Sequence, residues 1–321
     1  MSVISTPGEL ARSTASRQVE KDLSGSGRDV KGTLFMLALL IALLMSVVIL
    51  AVLVIDMLNL ASPVLTERFG DFLTGGLRSQ PEQSGILQGL RGTFFIGVFT
   101  ILIAFPLGIA AAIYLEEYAH KKSRLARFID VNIRNLAGVP SVVYGILGFT
   151  VFVQALGGIT GPNSNGRSVI SAGLTLAILV LPIVIITSAE ALRAVPQGLR
   201  EGGFGVGATR WEVTRHHVLP YAAPGILTGT VLALARSLGE AAPLILVGAT
   251  TGYLTSGDSL YLDTLQDRFT AMPIVITTWA GRPGADWEAA TAAAIIVLLV
   301  VVLIANAAAI LLRNRFEKKR T

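Results

Sequence analysis

Six long apolar blocks, separated by charged or Gly-rich stretches, set the pattern of this chain. They fall at approximately Thr33–Ile55, Gly92–Leu115, Leu136–Leu156, Val169–Ser188, Gly225–Val247 and Ala289–Leu312. Each is long enough to cross roughly 30 Å of hydrocarbon at about 20 residues. A helix satisfies its own backbone groups in lipid, so the pattern predicts an all-α integral membrane protein with six transmembrane helices. Pro106, Pro140, Pro182 and Pro243 fall in the second to fifth blocks, among many glycines. Gly225 and Gly229 stand four apart, a spacing that fits close helix contact or chance in so Gly-rich a chain. Kinked, Gly-rich spans suit a channel or transporter core better than a simple anchor.

The polar positions then orient the spans. Residues 1–32 are polar and mixed in charge, and read as a disordered cytoplasmic tail without signal-peptide form. Residues 33–55 form the first transmembrane helix, and residues 313–321 a basic cytoplasmic tail. Lys and Arg crowd four segments: Arg12 to Lys31, Lys121 to Arg134, Arg193 to Arg215, and Arg313 to Arg320. The opposite side holds only Arg68, Arg78, Arg91, Arg167, Arg268 and Arg282. This asymmetry puts both termini in the cytoplasm. The two longer outer segments are Asp56–Arg91 and Gly248–Glu288. The second holds an apolar run too short to span, read as a short helix against the outer mouth, either inert or touching a partner.

One cytoplasmic segment is patterned rather than passive. Glu190–Pro220 carries Arg193, Arg200, Glu201, Arg210, Glu212 and Arg215, and cannot be a span. Pro196 suits a first helical turn. The helix it opens runs through Leu199, Arg200 and Glu201 to about Val206, and Gly207 is a left-handed stop. Thr209 and Glu212 make a capping box for a second helix carrying Trp211, Val213 and Val218, which Leu219-Pro220 ends. Gly198, Gly202, Gly203 and Gly205 each cost about 1 kcal/mol of helix propensity relative to Ala. Such a helix makes sense where a partner's surface approaches closely; the alternative is an amphipathic hairpin on the lipid surface.

Composition removes several chemistries. The 321 residues include no Cys, so there is no thiol chemistry or disulfide framework. His120, His216 and His217 give no metal spacing, and adjacent His216 and His217 point different ways. No GxxxxGK[ST] phosphate loop is present. Arg236 and Glu240 lie four apart inside the fifth block, on one helical face. Each costs about 2.5 to 3.5 kcal/mol near the bilayer centre, so they belong in a polar cavity, paired with each other or with a partner. They form either a structural ion pair or an anion path. Arg236 offers a planar fork for oxyanions, while Glu240 weakens its grip enough for release. Glu116 and Glu117 end the second block; they pair with Lys121 and Lys122, or contact a partner at the inner mouth. Tyr144 either packs or lines the path.

The hairpin resembles the EAA loop of ABC-importer permeases. Glu201-Gly202-Gly203, three residues, Gly207, nine residues, His217, Val218, Leu219 and Pro220 keep the spacing throughout. Gly202 and Gly203 replace two alanines, and His217 an apolar residue. LALARSLGEAAPLIL around Arg236 looks like the phosphate-importer permeases, the PstA/PstC pair. FPLGIAAAIYLEEYA at Phe105–Ala119, GVPSVVYGILG at Gly138–Gly148 and FTAMPIVITTWAGRP at Phe269–Pro283 look like the PstA branch. Many relatives carry an Arg shortly after the LP of the fourth span. Here Ile183 to Ile186 are apolar, which puts more weight on Arg236.

The resemblance implies a MetI-like type I ABC-importer permease fold, with its core over residues 86–312 and the coupling hairpin at residues 190–220. It implies residence in the bacterial plasma (inner) membrane and a role as permease for inorganic phosphate. Arg236 and Glu240 would line the substrate path. Glu201, Gly202, Gly203, Gly207, Leu219 and Pro220 would couple to the ATPase. The chain itself would be no enzyme and bind no cofactor or metal, ATP being used by a partner. The partners implied are a second permease (PstC-like), two ATP-binding subunits (PstB-like), an extracytoplasmic phosphate-binding protein (PstS-like) and membrane lipid, with no nucleic acid. Sulfate or molybdate is the rival cargo. A proton-coupled carrier using Glu240 leaves the hairpin without purpose, and a non-transporting scaffold leaves the charged pair without one.

Overall fold

The structure is a computed structural model that describes residues 30–120, 123–250 and 263–318. The expectations for residues 1–29, Lys121, Lys122 and the last three residues lie outside the described residues. Among the described residues, all regular structure is helical. The chain divides into two compact units, one ending at Asp56 and one beginning at Met57. The first contributes most of helix α1 (Val30–Glu67), apolar along almost its whole length.

The second unit contains the remaining helices. Those used below are α2 (Leu87–Ile113), α3 (Arg124–Ala137), α4 (Ser141–Gly148), α5 (Val169–Arg193), α6 (Gln197–Gly205), α7 (Arg210–Val213), α8 (Leu219–Gly239), α9 (Ala242–Val247), α10 (Met272–Ala280) and α11 (Ala285–Lys318), with further short helices at Phe69–Thr74, Gly157–Thr160 and Asp263–Gln266 and tighter or wider turns between some of them. Among the described residues, five helical stretches are long and apolar enough to cross a membrane: Val30–Glu67, Leu87–Tyr118, Val169–Arg193, Arg210–Gly239 and Ala285–Arg315.

Two spans differ from expectation. The third does not run straight from Leu136. Arg124–Ala137 is a separate amphipathic helix, and the chain bends by 102° before Ser141–Ala155 enters the span. Gly138-Val139-Pro140 makes the corner, because a residue before proline avoids helical backbone. The fifth breaks after Gly239. Glu240 is extended (φ −80°, ψ 117°), and Pro243 sits in the first turn of the short α9. Pro106 and Pro182 instead sit inside continuous helices.

α5 is the central packing element, buried along much of its length. Hydrophobic burial drives little helix association in lipid, so close backbone approach must supply the contact. On α8 the expected glycine pair does this. A Cβ on Gly225 would meet Ala191 at 2.8 Å, and one on Gly229 would overlap Thr187. Both partners lie four apart on α5, so the pairing is register-matched. The short α10 packs through Met272, Val275 and Trp279 into a cluster with Phe72, Trp287 and the start of α11. Trp279 and Trp287 rings lie 5.5 Å apart, and the Arg282 guanidinium sits 4.3 Å over Trp287.

Overpacking a tight contact costs about 1–3 kcal/mol. Gly229→Val is therefore expected to lower the thermal midpoint of the detergent-solubilised protein by several degrees. Gly198→Ala, where an added Cβ meets nothing within 4 Å, should leave it unchanged or slightly raised.

Candidate functional site

The hairpin is built as two short arms on one apolar base. α6 follows Pro196, and Gly207 turns the chain with φ +82°. Thr209 then caps α7: its hydroxyl accepts from Glu212 N at 3.3 Å, and Glu212 Oε2 accepts from Thr209 N at 2.8 Å. Those hydrogen bonds pull the Glu212 carboxyl below the usual carboxylate range, the backbone N–H of Thr209 most of all.

The second arm does not end at Leu219-Pro220. It passes through a wide turn at Thr214–Val218 and continues as α8. Proline lacks an N–H and clashes with the carbonyl four residues earlier. The wide turn shifts the bonding, so that Leu219 N–H reaches Thr214 O instead.

Val195, Val213 and Val218 bury the inner side of the hairpin against Ala112, Ile185, Ala189 and Leu192. Of the four glycines in α6, only Gly203 packs inside, where a Cβ would meet Val213 at 2.7 Å. Gly198, Gly202 and Gly205 face open space. Glu201 is exposed among them, and Gly207 is exposed at the turn. Phe204, Val206 and Trp211 are 48%, 84% and 53% exposed. The outer side thus shows apolar side chains beside bare backbone, whereas Leu219 is half-buried near the membrane end. His216 and His217 are both exposed, and His216 Nδ1 lies 3.2 Å from Glu212 O.

The acidic residues that follow α2 find partners on the hairpin, while their expected pairing with Lys121 and Lys122 lies outside the described residues. α2 runs on into a wide turn, Tyr114–Tyr118, that faces the hairpin. Glu117 receives Arg200, with Nη2 to Oε1 at 2.8 Å and Nε within 3.3 Å of both carboxylate oxygens. Arg200 also donates to the carbonyls of Leu192 and Val195, each at 2.8 Å. Glu116 receives Arg193 at 2.5 Å, a hydrogen bond that raises the Arg193 pKa further. Tyr118 lies under the Arg210 guanidinium at 5.9 Å. Sequence reasoning missed these partners because they are distant in the chain; the row Glu116-Glu117-Tyr118 was the available signal. Tyr144 packs: it is buried and donates to Leu136 O at 2.8 Å.

The second candidate place is the break between α8 and α9. Arg236 Nε lies 3.4 Å from Glu240 Oε1. The two do not share a helical face as expected, since Glu240 has already left the helix. The Arg236 side chain is 50% exposed and that of Glu240 only 19%. Its helix neighbour Ser237 is buried with no hydrogen-bond partner among the described residues, and lines a small cavity with Thr93, Ile96, Leu176 and Leu244. A guanidinium free on one side and held on the other can receive an oxyanion. Arg236/Glu240 and the hairpin lie at opposite ends of α8, so the structure does not bring the two sets of predicted residues together. No cluster of metal-ligating side chains occurs among the described residues.

Residues 104–318 match the family described as binding-protein-dependent transport system inner membrane component. A probable ABC transporter permease protein, YqgH of Bacillus subtilis, is 36% identical over 57% of this chain and 60% of its own length. The phosphate transport system permease protein PstA 1 of Mycobacterium tuberculosis is 34% identical over 63% of this chain and 62% of its own. PstA of Haemophilus influenzae is 31% identical over 68% and 71%. The matched stretch therefore spans about 60% of the length of the first two relatives. Among solved structures, the MetNI methionine ABC transporter aligns over 72% of this chain and 94% of its own, with TM-score 0.55 and 18% identity. A bacterial ABC transporter involved in the import of alginate aligns over 88% and 97%, with TM-score 0.55 and 20% identity. These two likenesses concern the fold, which is that of a MetI-type permease.

The capping box yields a test. Glu212 holds its charge more readily when folded, so its support of α7 is present at neutral pH and lost as the pH falls through its lowered pKa. Glu212→Gln removes the titrating carboxyl and is expected to abolish the acid dependence of amide exchange at Glu212 and Val213 expected of the parent, whereas Thr209→Ala, which keeps the N–H of residue 209, should speed exchange at Glu212 while leaving part of that dependence.

Proposed function

Because the chain belongs to the family of binding-protein-dependent transport system inner membrane components, we propose that it is one transmembrane subunit of an ATP-driven importer whose cargo is inorganic phosphate. One observation carries the cargo reading. A guanidinium paired on one side only, Arg236 with Glu240, lies at a helix break inside a span. Several relatives of the chain are named phosphate transport permeases. Arg236 meets the anion with its free edge, and Glu240 limits the attraction so that the ion leaves. Sulfate and molybdate present similar oxygens, and the naming of the relatives favours phosphate.

The remaining parts follow from the same reading. A second permease supplies the other half of the path. Of the two ATP-binding subunits, one docks on this hairpin around Glu201, Gly202 and Gly207, where bare backbone admits a close partner, while Gly203 is packed inside against Val213 and supports that face from behind; ATP hydrolysis belongs to the ATP-binding subunits. A soluble phosphate-binding protein delivers the ion outside. Both termini lie in the cytoplasm, as the Lys and Arg asymmetry indicates. Ordered as domains, the reading takes residues 1–32 and 313–321 as tails, 33–55 as the first span and 86–312 as the permease core.

Charge-assisted hydrogen bonds are each worth about 1.5–3 kcal/mol. Arg236→Gln is therefore expected to cut phosphate uptake in cells by about ten- to a hundredfold while the complex still assembles. Uptake at the parental level would sink the anion-path role. Glu201→Trp is expected to reduce co-purification with the ATP-binding subunit; undiminished recovery would count against docking at this face.

A further inference from the structure

Three consecutive residues in the wide turn that continues α2, Glu116, Glu117 and Tyr118, each engage one arginine of the hairpin region. Arg193 stands where α5 ends, Arg200 in the first arm, and Arg210 at the start of the second. The middle link differs from the others. Arg200 and Glu117 side chains are only 15% and 9% exposed, and the guanidinium fork is shared between a carboxylate on α2 and two carbonyls at the foot of the hairpin. A planar, forked, largely desolvated contact fixes orientation as well as distance. The hairpin is therefore held to a span that is not its neighbour in the chain, in addition to the two helices, α5 and α8, that it joins.

That span leads to the charged pair. Thr93 and Ile96 of α2 line the same small cavity as Ser237 and Leu238, beside Arg236. An added Cβ on Gly97 would touch Leu238 at 3.0 Å. About 21 residues of helix, roughly 32 Å at 1.5 Å per residue, separate this contact from Glu117. This helical stretch is continuous in the chain and moves nearly as a rod, with Pro106 and the wide turn at Tyr114–Tyr118 as its bending points.

We propose that Glu117 and Arg200 form a strut through which displacement of the hairpin reaches α2, and through α2 the helix break at Glu240. This rests on the importer reading above. Both are positioning residues: neither touches cargo, and neither faces the exposed docking side, where Phe204, Val206 and Trp211 lie.

The chain has no Cys, so a single introduced thiol reports cleanly. The test uses the assembled complex with its ATP-binding subunits, carrying Gly239→Cys at the exposed helix break, where an added Cβ meets nothing within 4 Å and the importer reading places a polar path; labelling is read on this subunit. Labelling by a maleimide is compared with and without a non-hydrolysable ATP analogue. The parent is expected to show a nucleotide-dependent change in labelling rate. Glu117→Gln, Arg200→Gln and the double variant should still co-purify with the ATP-binding subunits and hydrolyse ATP. Each single substitution should shrink the labelling change about fivefold, with no further loss in the double, since one contact is removed either way. Arg200→Lys, which keeps the charge and loses the fork, should recover part of it. A parent without nucleotide-dependent change, or a change that survives both single substitutions, overturns the strut. Losses that add in the double variant overturn it equally. Because labelling needs no cargo, a strut that passes this test while phosphate uptake is absent refutes the cargo reading alone.

Discussion

Close backbone approach between α5 and α8 is the contact on which the second unit depends. In water two apolar helices are pressed together by solvent; in lipid that pressure is absent, and contact must come from surface fit. Thr187 and Ala191 sit on Gly229 and Gly225 at matched four-residue steps, so the two helices cannot slide without a clash. Both ends of that interface matter. One end sets the distance between the feet of the hairpin, since α5 leads into it and α8 leads out. The other sets where α8 breaks, and so where Arg236 and Glu240 stand.

The apolar valines of the hairpin convert this helix pair into a base for the two arms. Val195, Val213 and Val218 have no exposed surface to speak of, and they pin the inner side of the arms while the glycines leave the outer side bare. An element of nine residues with four glycines does not hold a helix by propensity. It is held here by burial on one side, and by a guanidinium that bonds its own foot and a neighbouring span at once.

Much of this was legible in the sequence, because the signals were local. Apolar length gave the helices and their number, with one bent pair counted as a span. Thr209 with Glu212, and Gly207 with its positive φ, encode their own geometry within a few residues. The misread places have physical reasons. Leu136 is apolar, and a count of apolar residues cannot tell the end of an amphipathic helix from the start of a span. Gly138 and Pro140 carried the boundary. Leu219-Pro220 read as a stop because proline usually is one; a wide turn absorbs it at the start of a longer helix. The partners of Glu116 and Glu117 lie 77 and 83 positions away along the chain, which no local pattern encodes.

The 102° corner at Gly138–Pro140 also bears on the lipid around the protein. Beyond it, Ser141–Gly148 and Phe149–Ala155 contribute 8 and 7 residues. At 1.5 Å per residue this covers about 22 Å, well short of the roughly 30 Å of a typical hydrocarbon layer. Hydrophobic mismatch on that side is met by thinning of the bilayer or by neighbouring apolar side chains. Leu125 and Phe128 on the crosswise α3 are exposed beside Arg124 and Arg127, the composition of a helix that rests among headgroups. The third span and its amphipathic partner thus read as a shallow flank, held from behind by α5 and α9, on which Gly148 and Gly145 pack against Thr175 and Leu246.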